Sequence, residues 1–322
     1  MEDHKILFKV RVGSRLYGLN TPTSDEDFMT IIMPSPRDVL GLQKLEEIDN
    51  STKKSNVDRR NTEDDVDDKQ YTLPRYLNLF MFGNPEKTEV LFAEPKNVLS
   101  TSPEIQFLFD NRDKILSKRV LYSFSGFAYA QKSKLIVKKE RFYSLVNAID
   151  WIERSISKDR LNEDNEDNQI NSEEADILNK TVKYYKGSKN NVESFHKGMA
   201  PKMIYQKMVS ERDNYGWRVR TETFETLGYD VKFGYHLLRL LDECRQLLEN
   251  GEIKYPFSGK AFNDIMRVRN GEVPYSELMD MYTEYEAAIE PFKNSNKLRD
   301  KPDFNFANDW LIDTLLKYFK EF

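Results

Sequence analysis

The chain has one cysteine, Cys244, and three scattered histidines, His4, His196 and His236. A single thiol excludes a disulfide framework and any cysteine-rich zinc site, and the histidine spacing excludes a zinc triad. Long apolar runs are missing as well. None approaches the ~18 residues that a membrane-spanning helix needs, and Met1–Lys5 has neither the basic start nor the apolar stretch of a secretory signal. A G-x-x-x-x-G-K-[ST] phosphate loop, a G-x-S-x-G nucleophile elbow and an H-E-x-x-H helix are all absent. No internal repeat is present. These absences leave a soluble, cytoplasmic chain with no membrane partner as the expectation.

What is there is enough for folding. The 322 residues are 39% hydrophobic and 12% aromatic, sufficient for one large core or two ordinary domains, which sets the chain apart from disordered sequences. The net charge of −5 does not by itself point to nucleic acid, but the charge is unevenly distributed. Lys118, Arg119, Lys132, Lys134, Lys138, Lys139 and Arg141 face only Glu140 within 118–141, whereas 162–176 is acidic without a base. Tyr122, Phe124, Phe127, Tyr129 and Phe142 interleave with the basic set. Their helical spacing reads as core aromatics with the bases outside, and the bases form a candidate nucleic-acid surface.

Residues 5–12 alternate polar and apolar and predict a strand that Gly13-Ser14 ends. A helical turn over 14–19, turn chemistry at 21–24 and a strand over 26–33 follow. The pattern then predicts a short helix over 35–48, a mobile polar loop over 49–65, and a strand over 66–73. Pro74 can open the next helix, because its missing N–H lies in the first turn. Gly83 closes that helix, and Asn84-Pro85 reads as the cap and first residue of another. From about 103 the periodicity is helical, with the helix over 232–249 stopped by Gly251. The fold class is α+β: a small α/β domain with a short mixed sheet over 1–100, then a larger α-helical domain over 101–322.

The chemistry sits in the first part. Asp25 and Asp27 are two apart at a strand, so their side chains point to one face. Two adjacent carboxylates repel unless one is protonated or a cation lies between them. Magnesium takes oxygen ligands and leaves room for phosphate and water, and two such ions can stabilise the attacking and leaving oxygens of an in-line displacement. Mn²⁺ is the alternative ion. Gly13-Ser14, at the end of the neighbouring strand, lets backbone N–H groups approach phosphate. Separately an Asp-x-Asp is a solvated surface and a Gly-Ser a turn; together, in this order and spacing, they read as a nucleotide site.

The segment Gly13-Ser14-Arg15-Leu16-Tyr17-Gly18, followed by Pro22-Thr23-Ser24-Asp25-Glu26-Asp27, resembles the signature of the DNA polymerase β-like nucleotidyltransferase superfamily. Within it, the chain is similar to nucleotidyltransferases associated with RNA repair in bacteria and large tailed phages. Asn84-Pro85 with Glu89-Val90-Leu91-Phe92, Gly228-Tyr229-Asp230-Val231-Lys232 with His236 and Arg239-Leu240-Leu241, and Arg269-Asn270-Gly271-Glu272 extend the resemblance over most of the chain.

That resemblance implies Mg²⁺-dependent transfer of a nucleoside monophosphate from an NTP to a hydroxyl, with an RNA end, tRNA included, as acceptor. It also implies a third carboxylate on a later strand. Asp64, Asp65, Asp67 and Asp68 are the candidates; counting four residues back from Tyr71 selects Asp67, with Asp68 next. Asp25, Asp27 and Asp67 would hold two metal ions, and Gly13, Ser14 and Ser24 would bind nucleotide. Lys232, His236 and Arg239 share one helix face. By residue type that face is solvated cations beside a buried histidine; by resemblance it is an anion-binding stripe. Glu89 is expected to support the site and Asn84 to cap a helix. Nucleotidylation of a protein side chain, or nucleotide or RNA binding without catalysis, are the alternatives.

Overall fold

Strand β1 (Ile6–Val12) turns Phe8, Val10 and Val12 inward and leaves Lys9 and Arg11 half-buried, as period-two alternation requires. In the computed structural model, which describes residues 4–22, 24–51, 66–162, 168–182, 194–213 and 226–320, this strand joins a five-stranded sheet. The others are β2 (Glu26–Ile32), β3 (Glu47–Asp49), β4 (Val66–Thr72) and β5 (Val98–Thr101), in the order β3-β4-β2-β1-β5. β1 is antiparallel to β2 and β5, β3 is antiparallel to β4, and β2 runs parallel to β4, which makes the sheet mixed.

Helix α1 (Gly13–Tyr17) follows β1 directly. After β2 comes α2 (Pro36–Leu40), opened by a reciprocal Ser35–Asp38 capping box with Pro36 in its first turn. The helix expected over 35–48 stops there because Gly41 leaves the helical region, and 47–49 pairs with the edge of β4 instead. The loop expected over 49–65 lies outside the described residues from 52 on, as do Asp64 and Asp65. Helix α3 (Leu73–Met81) has proline in its first turn and buries Tyr76, Leu77 and Phe80 while packing on β2 and β4. Each such side chain contributes about 1.5–3 kcal/mol on burial. Gly83, at φ +69°, ends this stretch. Asn84 caps α4 (Pro85–Glu89) by accepting from the Lys87 N–H. β5 carries no apolar alternation and is mostly exposed at the sheet edge.

The described remainder is mostly helical, including Arg119–Ser155, Pro201–Asp213, Val231–Asn250, Gly259–Arg269, Tyr275–Ala287 and Phe304–Phe319. The architecture is therefore α+β, an N-terminal mixed sheet followed by mostly helical chain, as expected. Among the described residues no helix is long and apolar enough to cross a membrane.

By contacts the chain divides into two units. The first comprises Met1–Ala130, Tyr235–Val268 and Met279–Phe322; the second comprises Gln131–Gly234 and Arg269–Leu278. The segments 235–268 and 279–322 thus group with the sheet-bearing stretch Met1–Ala130. The second unit has its own core, with Leu145, Ile149, Ile152, Leu178 and Phe195 buried together. There the helix Ser172–Thr181 starts from an Asn171–Glu174 capping box, and Arg160 donates to Glu174 Oε1 at 2.7 Å.

Candidate active site

Gly13 sits where β1 ends, with φ +68°, in the left-handed region that favours glycine. A Cβ at this position would lie 2.3 Å from Asp27 Oδ2. The backbone of the Gly-Ser turn thus rests directly on the Asp27 carboxylate, and any side chain at 13 would push the two apart. Ser14 follows in α1, its carbonyl accepting the Leu19 N–H at 2.8 Å. Ser24 Oγ accepts the Thr21 N–H at 2.8 Å and closes the turn that leads into β2. Arg15 secures the next corner, donating to the carbonyl of Ser24 at 3.1 Å and to that of Asp25 at 3.4 Å.

Asp27 and Asp67 are register partners on the parallel strands β2 and β4. Neighbouring strands lie about 4.7–4.9 Å apart and partners share a face, so these two carboxylates stand side by side. Asp25 lies two residues before Asp27, just ahead of the strand. All three are partly buried. Asp68 takes the opposite face. It is buried, accepts from Lys9 Nζ at 2.8 Å and from Thr30 Oγ1 at 2.9 Å, and is consumed by those contacts.

The donor set, carboxylate oxygens beside a backbone turn, suits a hard divalent cation such as magnesium. Among the described residues no three acidic, imidazole or thiol side chains stand close enough to form a metal cage as placed. The Asp27–Asp67 pair is the part of such a site that the sheet itself sets.

Lys232, His236 and Arg239 lie on the one helix Val231–Asn250 but in different surroundings. Lys232 is exposed and falls in the second unit, where its N–H donates to Asp230 Oδ1. His236 is half-buried in the first, its ring beside that of Tyr235. Arg239 is the most buried of the three. It is 6% exposed, and its Nη1 donates to Glu89 Oε1 at 2.7 Å and to both Glu243 oxygens at 2.8 and 2.9 Å. Its helix position turns it towards the core, where two carboxylates engage Nη1.

Glu89 completes a buried network that reaches Tyr17, Arg239, Glu243 and Tyr255. Tyr17, the last residue of α1, donates its hydroxyl to Glu89 Oε2 at 2.6 Å, and its ring lies 4.2 Å from the Arg239 guanidinium. Tyr255 donates to Glu243 Oε1 at 2.7 Å. Burial pushes the Tyr17 and Tyr255 hydroxyls and the Glu243 carboxyl well above their ordinary pKa values, with Arg239 opposing in each case. Burial disfavours the Arg239 cation, but Glu243 and Glu89 outweigh it and hold the proton on the guanidinium. Tyr255 had no periodic or motif signal. Tyr17 and Glu243 were visible only as a member of the Gly-Ser motif and as a polar helix residue.

In the basic segment Phe124 and Phe142 are core residues as expected, but Tyr122, Phe127 and Tyr129 are exposed. Lys118 pairs with Asp300, and the Arg119 guanidinium lies over the Phe82 and Phe304 rings. The side chains of Lys138, Lys139 and Arg141 lie outside the described set. Cys244 is fully buried, and burial pushes its thiol up to about 12. A cavity of about 400 Å³, lined in part by Asp242, Arg245, Lys254, Phe257 and Tyr285, contains none of the expected site residues.

The sequence profile of RlaP, described as the RNA repair pathway DNA polymerase beta family, matches residues 1–313. A protein of Enterobacteria phage T4, described as an uncharacterized 38.9 kDa protein in the nrdC-mobD intergenic region, is 26% identical over 95% of this chain and 96% of its own length. No solved structure matches.

Proposed function

Because the chain belongs to the RNA repair pathway DNA polymerase beta family, which implies a polymerase β-like nucleotidyltransferase role, we propose that it moves a nucleoside monophosphate from an NTP to the hydroxyl of an RNA end, tRNA included. The acceptor oxygen forms a bond to the α-phosphorus, the bond from that phosphorus to the bridging oxygen of the β-phosphate breaks, and pyrophosphate leaves. Asp67 takes the acceptor proton. Asp25, Asp27 and Asp67 would hold two Mg²⁺ ions, with Mn²⁺ as the alternative; when bound, they supply charge neutralisation at the attacking and leaving oxygens. Gly13 and Ser14 present backbone N–H groups and a hydroxyl to the β- and γ-phosphates, and Ser24 shapes the turn beside them.

The observation that supports this reading most is the register of Asp27 with Asp67 beside the Gly13 turn. The catalytic residues all lie within 1–100, and the proposal places the chemistry there. The test is incubation with each labelled NTP, Mg²⁺ and total RNA. Label is expected in RNA with the wild type and is expected to vanish with Asp25→Ala or Asp27→Ala while the circular dichroism stays unchanged. Full transfer by either variant would sink the assignment. Label in protein would move the acceptor to a side chain, and Mg²⁺-NTP binding without turnover across several RNAs would make the chain a binding module.

A further inference from the structure

We infer that the buried network of Tyr17, Glu89, Arg239, Glu243 and Tyr255 is a positioning device that sets the Gly13–Ser14 turn, so that a helix far away in sequence governs how the triphosphate is held. This rests on the assignment of that turn to the β- and γ-phosphates.

The turn is carried by a helix that cannot hold itself. α1 has five residues, far below the length at which an isolated helix is stable in water. Its position must come from outside contacts, and Tyr17 collects three of them. The hydroxyl donates to Glu89 Oε2, the ring lies against the Arg239 guanidinium, and the Tyr17 carbonyl accepts the Phe257 N–H at 2.9 Å. Gly18, next in the chain, lies so close to Pro256 that a Cβ would come within 2.4 Å of its Cβ. At about 1.5 Å rise per residue, Tyr17 lies roughly 4.5 Å along the helix from Ser14, within one turn of it, so a shift of Tyr17 is felt at the Gly13–Ser14 turn.

The other side of the network is tied together by its own bonds. Arg239 and Glu243 are one turn apart in Val231–Asn250 and are tied to each other, and Tyr255 adds a second bond to Glu243. Glu89 is the link: one oxygen faces Arg239 and the other faces Tyr17. A buried ion pair of this kind adds little stability over an apolar replacement of the same shape. What it supplies here is direction, because each oxygen of Glu89 has one donor and one place to point. Tyr17, Glu89 and Arg239 are thus positioning residues that act through the turn without touching the reacting atoms.

The experiment compares Tyr17→Phe with the wild type by calorimetric titration, using the NTP bound most tightly and its own monophosphate, each with Mg²⁺. The substitution removes one hydroxyl and keeps the ring beside Arg239. Triphosphate affinity is expected to fall about tenfold and monophosphate affinity to stay unchanged, with faster hydrogen exchange at the Leu19 amide, which donates to Ser14. A merely structural loss would weaken both ligands alike, and that result, or no change in either, overturns the inference. If Tyr17→Phe does not fold, Tyr255→Phe, three bonds from Glu89 through Glu243 and Arg239, replaces it; a triphosphate-selective loss of about threefold is then expected, and equal or no loss overturns the inference. A wild type that does not prefer triphosphate to monophosphate would instead sink the nucleotidyl-transfer reading itself, and this inference with it.

Discussion

A single step along β4 turns a carboxylate from the face that holds Asp27 to the face that holds Thr30 and Lys9. Asp67 and Asp68 therefore have different expected variants. Asp67→Asn should lower nucleotidyl transfer by about 100-fold or more, the size of effect associated with loss of a general base, at little cost in stability. Asp68→Asn should keep transfer but destabilise the chain by about 1–3 kcal/mol, because Lys9 loses its charged acceptor in a partly buried setting. Urea melts beside transfer assays separate the two; a variant pair with the effects exchanged would move the third carboxylate to Asp68. Strand parity made the choice of face legible in the sequence, since Asp67 and Tyr71 had to point one way and Asp68 the other. The partners of Asp68 were not legible, because they come from β1 and β2 through pairing that no local pattern encodes.

Among the elements, the helix Val231–Asn250 differs most between sequence and structure in what its charges do. Its extent and the glycine after it followed from periodicity, and Gly251 takes the left-handed conformation, φ +78°, that such a stop requires. The i, i+4, i+7 spacing of Lys232, His236 and Arg239 correctly described a face but not its environment. A cation on a helix reads as solvated unless its partners are known, and the partner of Arg239 is Glu89, 150 residues earlier. Arg239→Ala should destabilise the protein by about 3–5 kcal/mol, because it leaves Glu89 and Glu243 buried without their cation. A chemical-denaturation midpoint equal to that of the wild type would show that water reaches these carboxylates. The short helix α2 and the edge strand β5 were misjudged or missed for a related reason. Three- and four-residue strands at a sheet edge carry too little apolar periodicity to stand out.

For the whole molecule, stability should depend on acid through carboxylates held below their ordinary range. Arg160 hydrogen-bonds Glu174 and holds its carboxyl down against partial burial. Burial also opposes the lowering at Asp38, where Ser35 and His4 prevail. A group with a depressed folded pKa adds stability that is fully present above its unfolded value, about 3.9 for Asp and 4.3 for Glu, and is lost as pH falls through the folded one. The melting temperature is therefore expected to be flat with respect to these two groups from pH 7 to 5 and to drop below about pH 4. Glu174→Gln should lower it at pH 7 and shrink the acid drop; a drop of unchanged size would remove Glu174 as a contributor. The α+β class and the sheet-first order were legible at this scale, because strand and helix periods differ so plainly. Which helices group with the sheet depends on contacts between segments far apart in sequence, which leave no local pattern.

That return has a consequence for how the protein is made. On a ribosome adding about 5–20 residues per second, the 150 residues between Glu89 and Arg239 take roughly 7–30 seconds to appear. Throughout that interval the Glu89 carboxylate exists without the cation that allows it to be buried. The strands can pair early, but the turn at Gly13 and Ser14 cannot reach its final setting until the chain has come back at 235–268. The nascent sheet must therefore wait, partly open to water, for the last third of its own translation.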